Sequence, residues 1–245
     1  MGILNNLDTG NDVKGQEDDR LGGSLLLDSA IYDMNIKVAY LGQSQYGANF
    51  VHIECENPDG DKIRQDIYFT NRQGDNFYIR DGEKNYLPGY NQLNALSLLA
   101  CGKGLTTVDT EEKVVNVYDF DQGKEVPVPK EVLMDWVNQP ITLGILRILD
   151  DKNAKNADDK YVPTGETREL NEIDKVFRTD NRLTVTEMKA EATEPKFIND
   201  WADKWNGEIK TAKGFTGKRD PSLGDAPAAG QAGAPKPTPN SLFKE

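Results

Sequence analysis

The sequence predicts a mainly β fold: a five-stranded barrel with one helix between the third and fourth strands, a short inserted helix and a C-terminal helical extension. Three observations predict it. Between residues 31 and 70, apolar and polar side chains alternate in three runs, the period of half-buried strands. Residues 90–101 switch to a helical spacing. Two further strand-like runs follow, at 113–120 and 141–149. Three strands, a helix, a strand, an inserted helix and a last strand is the connectivity of an OB-fold barrel.

Residues 1–27 read as a flexible N-terminal arm of Gly, Asn and Asp with a Leu25-Leu26-Leu27 cluster. The barrel is expected over 28–150. Its first strand begins at Ile31, with Tyr32, Met34, Ile36, Val38 and Tyr40 on one face and Asp33, Asn35 and Lys37 on the other. The second, 48–56, turns Val51, Ile53 and Cys55 one way and Phe50, His52 and Glu54 the other. Asn57-Pro58-Asp59-Gly60 makes a turn, because Pro presets φ and Gly accepts a positive φ. The third strand, 62–70, puts Ile63, Ile67 and Phe69 inward and Arg64, Asp66 and Tyr68 outward. After a polar, aromatic stretch, Leu93, Leu96 and Ala100 form the buried side of a helix that Gly102 stops. Val115 and Val117 mark the fourth strand. Pro129, a favoured first-turn residue, opens a short helix through Val132, Leu133, Trp136 and Val137. The apolar run from Ile141 to Leu149 is the fifth strand. Beyond it, 151–207 reads as a charged loop and a helical extension packed on the barrel, broken at Pro195. Phe197, Trp201 and Trp205 make a stripe along that extension. Residues 208–245 read as a disordered Gly/Ala/Pro-rich tail with an apolar tip, Leu242-Phe243.

Composition narrows the function. The 245 residues carry 41 acids, 29 bases and one histidine, for a net charge of −12. A single histidine leaves no His-rich zinc site and little room for Ser-His-Asp or Cys-His catalysis. Two cysteines, Cys55 and Cys101, make no disulfide framework and point to a reducing cytoplasm. No apolar run reaches the roughly eighteen residues of a spanning helix, and no basic start precedes an apolar stretch, so neither membrane insertion nor secretion is expected. An acidic chain is in general a poor nucleic-acid ligand, but the sign of one face matters more than the total. Residues 60–104 hold five acids against six bases and are the one interior segment that does not lean acidic.

That segment and the strand facing it supply Phe50, Arg64, Tyr68, Arg72, Phe77, Tyr78, Arg80, Lys84, Tyr86 and Lys103. Aromatics interleaved with cations suit a single strand of nucleic acid, whose exposed bases stack on rings while cations track its phosphates. The plainer alternative makes the same rings barrel core or loop anchors. Glu166, Glu169 and Glu172, with Asp174 beside them, could gather a divalent cation as in two-metal nucleases. A solvated face paired with Arg168 and Lys175 is the simpler reading. Gly102-Lys103-Gly104 follows a helix instead of preceding one, so it is no phosphate loop. Cys55 and Cys101 read as small buried hydrophobes and His52 as a lone surface imidazole. No catalytic residue, metal or cofactor is expected.

Ala30–Tyr40, Arg64–Tyr68, Tyr86–Asn91, Asp109–Asp119 and Gly165–Asp174 carry a further signal. Together these segments resemble the single-stranded DNA-binding proteins encoded by tailed bacteriophages, with the similarity spanning residues 28–207. The resemblance implies an OB-fold core, sequence-tolerant coating of single-stranded DNA during phage replication, recombination and repair, and no catalysis. It also implies a mobile C-terminal tail, with Leu242 and Phe243 at its tip, that contacts replication proteins such as a polymerase, helicase or primase. The chain is expected as a monomer or weak homo-oligomer in the host cytoplasm. It departs from the pattern in its last segment: residues 208–245 hold four acids and six bases, where the family's tail is strongly acidic.

Overall fold

The structure, a computed structural model, describes residues 26–119 and 122–223. The expected N-terminal arm up to residue 25, and Leu242 and Phe243 of the tail, lie outside the described residues. In chain order the elements are β1 (Ala30–Gln43), β2 (Asn49–Glu56), β3 (Lys62–Tyr68), β4 (Phe77–Arg80), β5 (Glu83–Tyr86), α1 (Pro88–Cys101), β6 (Thr110–Asp119), β7 (Lys124–Leu133), β8 (Pro140–Lys155), β9 (Tyr161–Phe177), α2 (Val185–Lys189), α3 (Phe197–Trp205) and β10 (Ile209–Thr211). The fold is mainly β, built on one large, chiefly antiparallel sheet, with β4 and β5 as a separate hairpin.

The spine of the sheet runs β3-β2-β1-β8-β9. β1 is long enough to serve two neighbours along one edge: Ala30–Asn35 pair with β8, and Tyr40 pairs with Val132 of β7. Between Ile36 and Val38 the β1–β2 register slips by one residue. Met34 and Ile36 therefore point into the core before the slip, and Ala39 after it. The expectation that Val38 and Tyr40 share the face of Ile36 is corrected here. One extra residue reverses the side of every side chain beyond it, and Tyr40 stacks on outward-facing His52 at 4.7 Å.

Val51, Ile53, Cys55, Ile63, Ile67, Leu143, Ile145 and Ile173 fill the interior. α1 covers this core with Leu93, Leu96 and Leu99, and Gly102 at φ 75° ends it in the left-handed turn that glycine favours. The helix starts almost in contact with β3. A Cβ on Gly89 would lie 1.9 Å from the carbonyl oxygen of Tyr68, so only glycine permits that approach.

Three expectations need correcting. Residues 129–137 are not a helix but the end of β7 and a tight 3-10 turn, Met134–Trp136. Val126, Val128 and Val132 keep a strand period, and Pro127 and Pro129 lack their N–H groups on the edge that β6 leaves free. The charged stretch after Leu149 is not a loop but the long pair β8–β9, whose tip lies between Lys155 and Tyr161. Only Ile173, Val176 and Phe177 of β9 are buried, so no apolar alternation announced it. The fourth and fifth strands of the body are thus β8 and β9, with β6–β7 inserted between α1 and β8.

The sheet is also open where a closed barrel was expected, since no ladder joins β3 to β9. Side chains cross the gap instead. Gln65 Oε1 of β3 accepts from the Ile173 amide of β9 at 2.8 Å. Leu27 enters the same gap: its amide donates to Asn171 Oδ1 and its carbonyl accepts from Asn171 Nδ2, both at 2.8 Å.

The extension breaks at Pro195 as expected, with α2 and α3 on either side. Trp201 is buried against Gly144, where a Cβ would stand 3.1 Å from the indole, and its Nε1 donates to Asp174 at 2.8 Å. Trp205 is only half-buried. Residues 209–223, expected within the tail, are docked. β10 takes the edge of β8 that β1 leaves at Ile145, and buried Asp151 accepts from the Thr216 and Gly217 amides and the Thr216 hydroxyl. Among the described residues no helix is long and apolar enough to cross a membrane.

Candidate nucleic-acid interface

The register of β2 and β3 sets Phe50 opposite Tyr68, His52 opposite Asp66 and Glu54 opposite Arg64, all on the outer face. Phe50 and Tyr68 pack with ring centroids 5.3 Å apart. The Phe50 ring rests on Gly42 of β1, where any Cβ would fall 2.3 Å from it. Tyr68 is 47% exposed.

Beyond β3, Asp81-Gly82 turns β4 into β5 with positive φ at both residues, the conformation that two-residue hairpins prefer. Phe77 pairs across this hairpin with Tyr86. The Lys84 ammonium sits 4.3 Å from the centre of the Phe77 ring, and Tyr86 packs at a tilt of 35° on Tyr90 of α1, ring centroids 4.7 Å apart. In the β1–β2 loop, Tyr46 lies under the Arg72 guanidinium at 4.8 Å. Tyr46, Tyr68, Tyr78 and Tyr86 are all exposed. Neither Arg72 nor Lys84 has a carboxylate partner among the described residues.

Nine of the ten residues expected from the sequence fall on β2, β3 and the segment running into β5, whereas Lys103 falls elsewhere. It sits past the far end of α1, about 20 Å of helix from Tyr86, and ties Asp109 and Asp135 together at 2.8 and 2.7 Å. Two carboxylates already hold its ammonium and push its pKa up, so it serves as a clamp on that loop. Arg64 is likewise engaged, by Glu54 at 3.1 Å and by Glu125 at 4.0 Å. Arg80 lies 3.6 Å from Asp81 in solvent.

Sequence reasoning missed Tyr46, Tyr90, Lys155 and Tyr161. Lys155 lies 5.7 Å over the Tyr161 ring at the tip of the β8–β9 arm. Its pKa is raised by the Asp159 hydrogen bond first, with smaller contributions from Tyr161 and Tyr46. The available signal was an aromatic residue at the ends of two hairpins, Tyr46 after β1 and Tyr161 opening β9, whereas Tyr90 lies on α1. The β6–β7 hairpin also reaches this face: Lys130 stands 5.7 Å over Tyr40, and Glu125 meets Arg64.

His52 is not the isolated imidazole expected. Nδ1 lies 2.6 Å from Asp66 and Nε2 3.2 Å from Glu54. Burial disfavours its charge, but the two carboxylates outweigh burial and raise its pKa to about 9. Tyr40 is pushed up to about 12 by burial and then by the same two acids. Cys55 is buried, which pushes its thiol up to about 12 and leaves it inert.

The acidic stretch of β9 does not converge. Glu166 pairs with Lys152, Glu169 with Arg147, and Arg168 with Asp150. Successive strand residues face opposite sides, so the three-residue spacing of Glu166, Glu169 and Glu172 scatters them. Among the described residues no group of three His, Cys, Asp or Glu side chains is placed to hold a metal ion. What remains is exposed rings with guanidinium and ammonium groups beside them, on the outer face of β3, the β1–β2 loop and the β4–β5 hairpin, each suited to stacking and to weak anion contacts. Compared with known proteins, the chain matches no family model and no curated protein.

Proposed function

We propose that this chain is a sequence-tolerant single-stranded DNA-binding protein of the OB type, without catalytic activity or cofactor. The observation that carries the reading is the set of exposed tyrosines accompanied by cations, Tyr68 on the outer face of β3, Tyr46 on the β1–β2 loop and Tyr78 and Tyr86 on the β4–β5 hairpin. Bases of a single strand stack on such rings at about 1–3 kcal/mol each, whatever their identity. The strand order supports it too. Taking β8 and β9 as strands four and five, the path 3-2-1-4-5 with α1 after strand three is the OB arrangement, lacking only the final ladder. In that fold oligonucleotides lie on strands two and three, between the loop joining strands one and two and the loop joining four and five. Here those loops present Tyr46 and Tyr161.

Coating single strands during phage replication, recombination and repair in the host cytoplasm is the role that fits this chemistry, with replication proteins as further partners. The test is binding of labelled oligo-dT against duplex at two salt concentrations. Tight binding of oligo-dT and weak binding of duplex is expected. Each phosphate contact contributes about 0.7 to the log–log salt slope, so engagement of Arg72, Lys84 and Lys130, which have no carboxylate partner among the described residues, predicts a slope near 2. Equal affinity for duplex, or none for oligo-dT, overturns the reading. Cleavage of the labelled strand on adding Mg²⁺ would favour a nuclease instead.

A further inference from the structure

We propose that His52 is a built-in counter-ion of the outer sheet face, cancelling Glu54 and Asp66 so that a polyanionic strand can lie across them. This rests on the single-strand reading above. The geometry itself demands the charged ring. Each ring nitrogen faces a carboxylate, Asp66 at 2.6 Å and Glu54 at 3.2 Å. An ionised carboxylate only accepts, so both nitrogens must donate, and a neutral imidazole has a single N–H. Either neutral tautomer would aim a lone pair at an anion.

The surroundings on every side fit that role. Tyr40 of β1 stacks on the ring at 20° between planes, a favourable seat for a cation. Glu54 comes from the histidine's own strand, and Asp66 and Arg64 from β3. From β7, Lys130 and Glu125 reach Tyr40 and Arg64. Glu54, Asp66 and Glu125 are thus balanced by His52, Arg64 and Lys130. Without the imidazole proton, the middle of the proposed binding face carries one uncompensated negative charge. The raised His52 pKa, about 9, keeps that proton through the neutral range.

The full chain contains no other histidine, so one imidazole resonance reports the cluster directly. It should titrate near pH 9 instead of at the ordinary value of about 6.5. Oligo-dC is the probe, because its bases do not ionise at alkaline pH. At pH 7 and low salt, His52→Gln should bind it about three- to tenfold more weakly than the parent. The parent's affinity should fall as pH rises through 9, and the variant should lack that inflection. His52→Gln/Glu54→Gln/Asp66→Asn, which removes both acids with the cation and leaves Arg64 and Lys130 facing Glu125 alone, should bind at least as tightly as the parent. The inference is overturned if His52→Gln binds like the parent, if the triple variant stays as weak as the single, or if the resonance titrates at its ordinary value. A parent that ignores oligo-dC sinks the single-strand reading and this role with it, while the titration still judges the pairing.

Discussion

Tyr68 concentrates the residue-scale logic of this surface: its backbone belongs to β3 and touches Gly89, while its ring stands outside against Phe50. Because the ring contributes little to the core, Tyr68→Ala should leave the melting temperature nearly unchanged. Oligo-dT binding should weaken by about 1–3 kcal/mol, measured by anisotropy. Loss of stability without loss of binding would make the ring an anchor. His52 links a side chain to pH. Its folded-state pKa is raised, so the stability it adds is complete below about pH 6.5 and is lost as pH climbs through about 9. Screening of a half-exposed cluster limits that contribution to on the order of 1–2 kcal/mol. Melting curves of the parent should therefore decline from pH 6.5 to 9 more steeply than those of His52→Gln. The outward residues Phe50, Arg64 and Tyr68 were legible from strand alternation alone. The partners of His52 were not, because cross-strand neighbours depend on register, and sequence spacing does not reveal register.

At the scale of elements, β2, β3 and α1 were legible because each buries one face and writes that burial as a period, and the first half of β8 because it is buried on both faces and reads as an unbroken apolar run. β9 was illegible because most of its seventeen residues are only partly covered and many are charged. β7 mimicked a helix, since Pro129, Val132, Leu133 and Trp136 happen to recur at helical intervals while the prolines in fact mark a free strand edge. The β4–β5 hairpin did carry a readable signal, Asp81-Gly82, the preferred dipeptide of a tight hairpin. α3 shows what an apolar stripe is for. Trp201, rather than the whole Phe197-Trp201-Trp205 stripe, holds it to β8, with only 4% of its surface exposed. Trp201→Ala should cost about 3–5 kcal/mol in denaturant unfolding, and Trp205→Ala should cost much less. Equal losses would mean that α3 is held along its length.

For the whole molecule, a net charge of −12 coexists with a face whose acids are matched by cations. That local balance, and not the total, sets what the surface admits. The other global property is the seam between β3 and β9, which run parallel yet share no ladder, bridged by Gln65 and stopped by Leu27. Hydrogen–deuterium exchange should find β3 and β9 amides beside the seam exchanging before those shared by β1 and β2. Equal protection on both would show a seam as firm as a ladder. A ring of strands has a fixed circumference, whereas a strip whose two ends are joined by side chains behaves like a clasp. Opening it would leave every strand pair intact, but must release Gln65, Leu27 and the α1 side chain Gln92, whose Nε2 donates to the Ile173 carbonyl. On the single-strand reading proposed above, a clasp of this kind would let the outer face follow bases of different sizes without breaking a ladder.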